Sequence, residues 1–418
     1  MLNKIPKYNF PVPGAALHCG ISLNSWIVAG WILSEHRQQA VEQLEIRTAT
    51  SCQRCESAAA RELLAQLRWP DLGFVLFFCS TEYDLDRLAL ELQRECGDIP
   101  LAGCTTAGEI TAQGYGQGCI SAIGFSRTAF AVSGKLIRNL EDFSFTDAQA
   151  VVDGLISDCL QQQVAPIKDK SFALTLLDGL STLEEQVLVT LDSVLGSIPH
   201  FGGSAGDDIC LTNTHVYFEG RFHTDAAVII LINTTCAFEV FSGHHMLSKG
   251  EKLVVTEADS DQRRVRELNA EPAALEYSRV TGVPLAQLNH EVFALNPIAV
   301  RIGEEYYVRS IQRVNDDLSL TFYCAVENGI VLTVMEPGEI LSVLDSELQR
   351  IETAVGEHVL TIGCDCFLRR LEVERRGLKQ EMSDLLRKHR VVGFNTYGEQ
   401  VDGMHINQTF TGVAIGRG

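Results

Sequence analysis

Apolar residues gather along this chain in one arrangement that occurs three times. A run of strand length opens each copy: "FVLFFCSTEYD" at 74–84, "FALTLLDGLST" at 172–182 and "HVLTIGCDCFLRR" at 358–370. A segment with apolar residues at three- and four-residue spacing follows: "LDRLALELQREC", "LEEQVLVTLDSVLG" and "LEVERRGLKQEMSDLLRK". That period predicts amphipathic helices. Each copy then turns through a Gly–acid loop: "IPLAGCTTAGEI" at 99–110, "SIPHFGGSAGDD" at 197–208 and "HRVVGFNTYGEQ" at 389–400. Another apolar run, such as "CISAIGF" or "FTGVAIG", comes after the loop in the first and last copies. The unit is strand, helix, Gly loop, strand. Its repetition predicts a pseudo-symmetric α/β protein (α+β as the alternative) in which helices cover mixed sheets.

Between the second and third copies the pattern changes. "THVYFEGRFHTDAAVIILIN" alternates and then runs apolar, as a hairpin leading into a buried strand does. "KLVVTEA", "RRVRELN" and "LSLTFYCAV" read as strands, and "IAVRIGEEYYVRSIQRV" as a hairpin. "PAALEYSRVTG" reads as a helix with Pro272 at its start and Gly282 past its end. "SWIVAGWILS" near the N-terminus reads as a buried strand, being too short to span a bilayer. The division expected is an extension packed on the body over 1–43, one domain over 44–243 and another over 244–418.

Composition narrows the function. Of 418 residues, 46% are hydrophobic and 21% charged, with a formal net charge of −20. That acidity excludes a general nucleic-acid binder, which needs a basic face for phosphates. No export signal or membrane-inserting segment is read, so a cytoplasmic protein is expected, and its thirteen cysteines are expected mostly as free thiols. A homodimer is left open.

The loops carry the first candidate residues: Glu109, Asp207 and Glu399, as acids lining a pocket or bracing a repeated turn. No loop matches a phosphate-binding glycine motif, and no hydrolase signature accompanies the acids, so no enzyme is expected. Cysteine supplies the second set, Cys52 with Cys55 in "CQRC" and Cys364 with Cys366 in "CDC". Two such pairs meeting in space would hold zinc. A thiol at the start of the helix "SAAARELLAQL" would instead suit redox work. Histidine supplies the third: His244 and His245 in "FSGHHML", set among apolar residues, with His200 and His405 as fallbacks. The cluster "RRVR" at 263–266 reads most simply as a solvated edge strand.

The motifs "LGFVLFFCSTEYDLDRLALEL", "IPLAGCTTAGEITAQGYGQGCISAIGF", "CDCFLRR", "VVGFNTYGEQ" and "HINQT" resemble the FIST domain, a sensory domain of bacterial signalling. The segment from "HHMLSKGEKLVVTEAD" to "EYSRVTG" is similar to the NosP branch of that family. This resemblance implies a haem-binding nitric-oxide sensor whose change in haem ligation regulates a separate histidine kinase or a cyclic-di-GMP synthase or phosphodiesterase. It implies an axial histidine, His245 first and His244 second. The alternative is a haem-free module that senses a small ligand or a thiol or zinc state.

Overall fold

In the computed structural model three six-stranded sheets share one plan. The structure describes residues 46–208 and 210–417, which fall within a single compact unit; the expected extension over 1–43 and the strand at 25–34 lie outside them. At the middle of each sheet is a parallel pair. Leu72–Cys79 pairs with Leu101–Thr105, Ser171–Leu177 with His200–Ser204, and His358–Cys366 with Val391–Thr396. A parallel pair needs a crossover, and the segments with helical period provide it: Leu85–Cys96, Glu184–Leu195, and Phe367–Arg375 followed by Lys379–Lys388. The last crossover was read as one helix. It breaks at Gly377, whose φ is 68°.

On one side of each parallel pair lie two antiparallel strands. They are Ile120–Ser126 with Ile46–Ser51, Ala226–Thr234 with Phe130–Arg138, and Phe410–Gly416 with Ala237–Gly243. On the other side lies a hairpin donated by a different repeat. The hairpin after the first Gly loop, Glu109–Thr111 and Gly114–Gly116, joins the third sheet through Gly393 and Phe394. The pair Val216–Phe218 and Arg221–His223 joins the first sheet, and Glu399–Val401 with Met404–Ile406 joins the second. The three repeats are therefore interlocked in a ring.

The sheets are buried on both faces, so their strands are apolar at successive positions rather than alternating with polar ones. Phe74, Leu76 and Phe78 point to the centre, where they meet Phe172, Leu174, Leu176, Ile362, Cys364 and Phe394. Val75, Phe77 and Cys79 point the other way, onto the helices Glu56–Leu67 and Leu85–Cys96. Phe78 and Phe394 stack with ring centroids 4.6 Å apart. Burial of this shared centre, at about 25 cal/mol per Å² of apolar surface, holds the repeats together alongside the exchanged hairpins.

Three helices went unread in the sequence, Phe145–Gln162, the short His290–Leu295 and Ile340–Val355. The first buries Ala148, Val152, Leu155 and Cys159, a spacing of four, three and four. Within the third repeat, a separate sheet is inserted between Ala237–Gly243 and Ile340–Val355. Met246–Asp259 and Val331–Pro337 are its central strands. The strands read from "KLVVTEA", "RRVRELN" and "LSLTFYCAV" lie in it, and the helix Ala273–Thr281 has Pro272 as its N-cap and Gly282 as its C-cap. Its core contains Leu253, Val265, Tyr277, Phe293 and Phe322. The strand Ala237–Gly243 pairs with Phe410–Gly416, so the third repeat draws on chain from both sides of residue 244.

Candidate functional site

The three Gly loops converge and hydrogen-bond to one another. Ala107 N–H donates to the Asn395 carbonyl at 2.8 Å, and Asn395 N–H donates to the Gly108 carbonyl at 2.7 Å. Gly206 N–H donates to the Thr105 carbonyl at 3.0 Å, and Ser204 N–H to the Gly398 carbonyl at 2.8 Å. The approach is close enough to require glycine. A Cβ on Gly108, whose φ is 135°, would fall 1.4 Å from Arg370 Nη1.

Glu109 and Glu399 hold equivalent places in this ring, and both are fully buried. Glu109 accepts from the Thr106 hydroxyl at 2.6 Å and from Cys119 N–H at 3.1 Å. Glu399 accepts from Thr409 N–H at 3.0 Å and its hydroxyl at 2.8 Å. Cys119 and Thr409 each stand just before a return strand, and the acid fixes that entry. Burial pushes the Glu109 carboxyl up to about 7 and Glu399 well above its ordinary value, against these hydrogen bonds. In the second repeat the same task falls to Asp178, which accepts from Asp225 N–H at 2.6 Å just before Ala226–Thr234. The repeat pattern pointed to Asp207 instead and missed Asp178.

Asp207 does something different. It accepts from the N–H groups of Leu211, Thr212 and Asn213 at 2.9, 2.7 and 2.7 Å, shaping its own loop. The Tyr397 hydroxyl also donates to it, tying the second loop to the third. Tyr397 packs with Phe367 and Tyr323, centroids 5.2 and 6.2 Å away. The Tyr323 hydroxyl, Asn395 Oδ1 and Gln408 Oε1 are buried here and without a partner among the described residues. Beside Asp207 opens a cleft of about 500 Å³ lined by Thr81, Tyr83, Asp84, Asp86, Thr212 and His215 among others. That volume lies in the range of small-molecule sites. The charged residues in its lining, Asp84, Asp86 and Asp207, are all acidic.

His245 sits elsewhere, in a buried polar chain. Its Nε2 lies 2.8 Å from Glu372 Oε2 and its Nδ1 2.8 Å from Arg369 Nη1. Arg369 can only donate, so Nδ1 accepts and the Nε2–H donates to Glu372. Arg369 Nε donates to Asp365 at 2.6 Å, and Asp365 also accepts from the Tyr115 hydroxyl. Burial, with Arg369 adding to it, holds the His245 imidazole below its ordinary value, despite Glu372. For Glu372, burial acts upward, but the hydrogen bonds and charges of His245, Arg376 and Arg369 together outweigh it and lower the carboxyl.

Haem needs a free imidazole nitrogen and room for a macrocycle. Both nitrogens of His245 are engaged. The adjoining cavity, walled by Phe241, Ile340, Leu344 and Phe410, is about 70 Å³, well below the usual range for ligand pockets. His244 Nδ1 accepts from Met246 N–H at 3.2 Å, and a backbone hydrogen bond with Tyr306 also holds its ring. The residues as arranged do not fit haem. Of the fallbacks, His200 is fully buried with Nε2 2.6 Å from the Thr175 hydroxyl, and His405 Nδ1 is 3.2 Å from Glu185 Oε1.

The cysteine pairs do not meet. Cys52 is joined to Cys119 by a disulfide, which corrects the reading of both as free thiols and of Cys52 as a partner of Cys55. Residues 51 and 120 face each other in the antiparallel ladder, so 52 and 119 are its next rung. Cys55 is a free, exposed thiol. Cys364 and Cys366 are buried in the third sheet beside Glu399; burial first and that carboxylate second raise both thiols well above their ordinary value. Among the described residues, one group of three metal-competent side chains comes together, Glu184, Glu185 and His405. Arg263 already occupies it, ion-paired to Glu184 and 2.6 Å from Glu185 Oε2. Arg263 is thus a buried tie between the inserted sheet and the second repeat, not part of a solvated edge.

The family models agree with this interlocked ring of repeats: a FIST N domain matches residues 73–271 and a FIST C domain residues 273–402. The chain belongs to the FIST-domain family, a sensory module of signalling. No curated relative matches it. Among solved structures, a cyanuric acid hydrolase from A. caulinodans is similar at 11% identity, covering 46% of this chain and 72% of that one with a TM-score of 0.27. No helix among the described residues is long and apolar enough to cross a membrane.

Proposed function

We propose that this protein is a cytoplasmic, non-enzymatic sensor that binds a small cationic or amine-bearing molecule in the cleft beside Asp207. It then reports to a separate signalling partner, a histidine kinase or a cyclic-di-GMP enzyme. The observation that carries the reading is the Tyr397–Asp207 tie between two Gly loops, at the edge of a cleft whose charged lining is acidic. A ligand in the cleft acts on the loop that Asp207 shapes, and Tyr397 passes the change to the next repeat. A ligand shifts such an equilibrium only by its difference in affinity for the two states. A thermal-shift panel of small amines against matched carboxylates tests this. Amines that raise the melting temperature in wild type and not in Asp86→Asn support the reading. A panel in which only carboxylates act, or none does, sinks it.

The haem and nitric-oxide reading has one observation in its favour: an apolar wall beside a histidine whose Nε2 holds a carboxylate, the usual outer partner of a ligating imidazole. It requires Arg369 to release Nδ1. A hemin titration followed by absorption tests it. A sharp band that strengthens in Arg369→Met and disappears in His245→Ala would favour haem. No specific band in either protein would remove it.

A further inference from the structure

Cys52 and Cys55 are exposed, whereas Cys119, the partner of Cys52, is buried. The reachable sulfur of this disulfide is therefore that of Cys52, and a free thiol stands three residues from it. Three residues of extended chain span at most about 10 Å, and the chain bends at Arg54 and Cys55. Cys55 is the N-cap of Glu56–Leu67, where the unpaired N–H groups of the first turn favour a negative charge. Its sulfur lies 3.3 Å from the Ser57 hydroxyl. That hydroxyl is the main cause lowering the thiol below its ordinary value.

We infer that Cys52, Cys55 and Cys119 form a thiol–disulfide exchange site. The Cys55 thiolate attacks Cys52 Sγ. The Cys55–Cys52 bond forms as the Cys52–Cys119 bond breaks, and Cys119 leaves as a thiolate that takes a proton from water. One disulfide is lost and one gained, so no outside oxidant or reductant is consumed. The exchange moves a clasp. In one state the end of Ile46–Ser51 is tied to the entry of Ile120–Ser126; in the other it is tied to the start of its own helix. Cys119 N–H donates to Glu109, so the released residue is one hydrogen bond from the first Gly loop. Tyr83 braces the same corner, its hydroxyl donating to the Gln53 carbonyl at 2.8 Å. Tyr83 also lines the cleft, but the linkages of the three cysteines are read without any cleft ligand, so the test is independent of the amine reading.

Peptide mapping of the full-length protein decides the matter. The oxidised protein is held for several hours at pH 8, quenched in acid and alkylated, and its linkages are read by mass spectrometry without reduction. The expected result is both a Cys52–Cys119 and a Cys52–Cys55 linkage, with alkyl label on Cys119 as well as Cys55. Cys55→Ser should show Cys52–Cys119 alone, with no label on Cys119. Cys52–Cys119 as the sole linkage in wild type, with label on Cys55 alone among these three cysteines, would overturn the inference. So would a wild-type protein in which Cys52 and Cys119 are both free after oxidation.

Discussion

The chain Tyr115–Asp365–Arg369–His245–Glu372 is built from groups that water scarcely reaches. The side chains of Asp365, Arg369, His245 and Glu372 are 1, 2, 1 and 0% exposed. Arg369 is its hinge, since it neutralises Asp365 with one nitrogen and donates to His245 with another. Arg369→Met keeps the volume near the aliphatic stem and removes both donations. Asp365 is then a buried carboxylate whose remaining donors, the Tyr115 hydroxyl and Asn395 Nδ2 at 3.4 Å, carry no charge. Removing one partner of a buried pair costs about 3–5 kcal/mol, because the other charge is left uncompensated. Urea unfolding, followed by tryptophan fluorescence and far-ultraviolet circular dichroism, measures it as a drop in midpoint at unchanged slope. Asp365→Asn added to Arg369→Met should recover more than half of the loss, since the amide carries no charge and still accepts from Tyr115. A loss below about 1 kcal/mol in the single variant would refute the reasoning. So would a double variant no better than the single, because the cost would then lie in packing rather than charge.

Other outcomes follow from groups placed above. Burial lowers His200 from its ordinary 6.5 to about 4. A depressed histidine stabilises the fold above its unfolded value and loses that contribution as pH falls, so stability should drop by roughly 3 kcal/mol between pH 6.5 and pH 4. In His200→Leu that part of the slope, measured by denaturant midpoints across the range, should vanish. Glu109 works in the opposite sense: raised to about 7 by burial, it weakens the fold as pH rises from 4.5 through 7, and Glu109→Gln should flatten the profile there. Gly108→Ala should cost about 3 kcal/mol or more, from strain at positive φ and the collision with Arg370, while Gly97→Ala, open around its Cβ position, should cost about 1 kcal/mol. Thermal melts of the two variants side by side check this; equal shifts would contradict it. Tyr397→Phe leaves Asp207 one donor short and should cost about 1 kcal/mol while uncoupling amine binding from the third loop.

What could be read from the sequence was local. The crossover helix Leu85–Cys96 matches its predicted segment end to end, because four apolar residues repeat on one face and Asp84 and Gly97 cap it. The repeat of strand, helix and Gly loop was legible for the same reason, and it led to the fold class. Pairing between distant segments was not. A three-residue strand such as Glu109–Thr111 carries no mark of the sheet it joins, so the exchange of hairpins between repeats stayed hidden. The Cys52–Cys119 disulfide spans 67 residues, and the nearer Cys55 offered a more obvious partner. His245 was singled out for its apolar neighbours, but the partners that decide its chemistry stand 124 and 127 residues away, on one turn of Phe367–Arg375.

Asp178 shows why repetition in sequence and repetition in structure separate at the site. The fold needs one carboxylate per repeat to hold the entry of the return strand. Glu109 and Glu399 reach it from the Gly loop. In the second repeat the chain between the loop and its hairpin is longer, and Asp207 is used to organise that extra length. The bracing acid then comes from the end of the preceding strand, at Asp178. The symmetry of the task is kept while the position that performs it moves. The departure also falls where the cleft opens, beside Asp207 and His215. The repeat that breaks the pattern is therefore one whose Gly loop borders the cleft proposed to hold a ligand, so the acid that departs from the bracing task is the one placed beside that space.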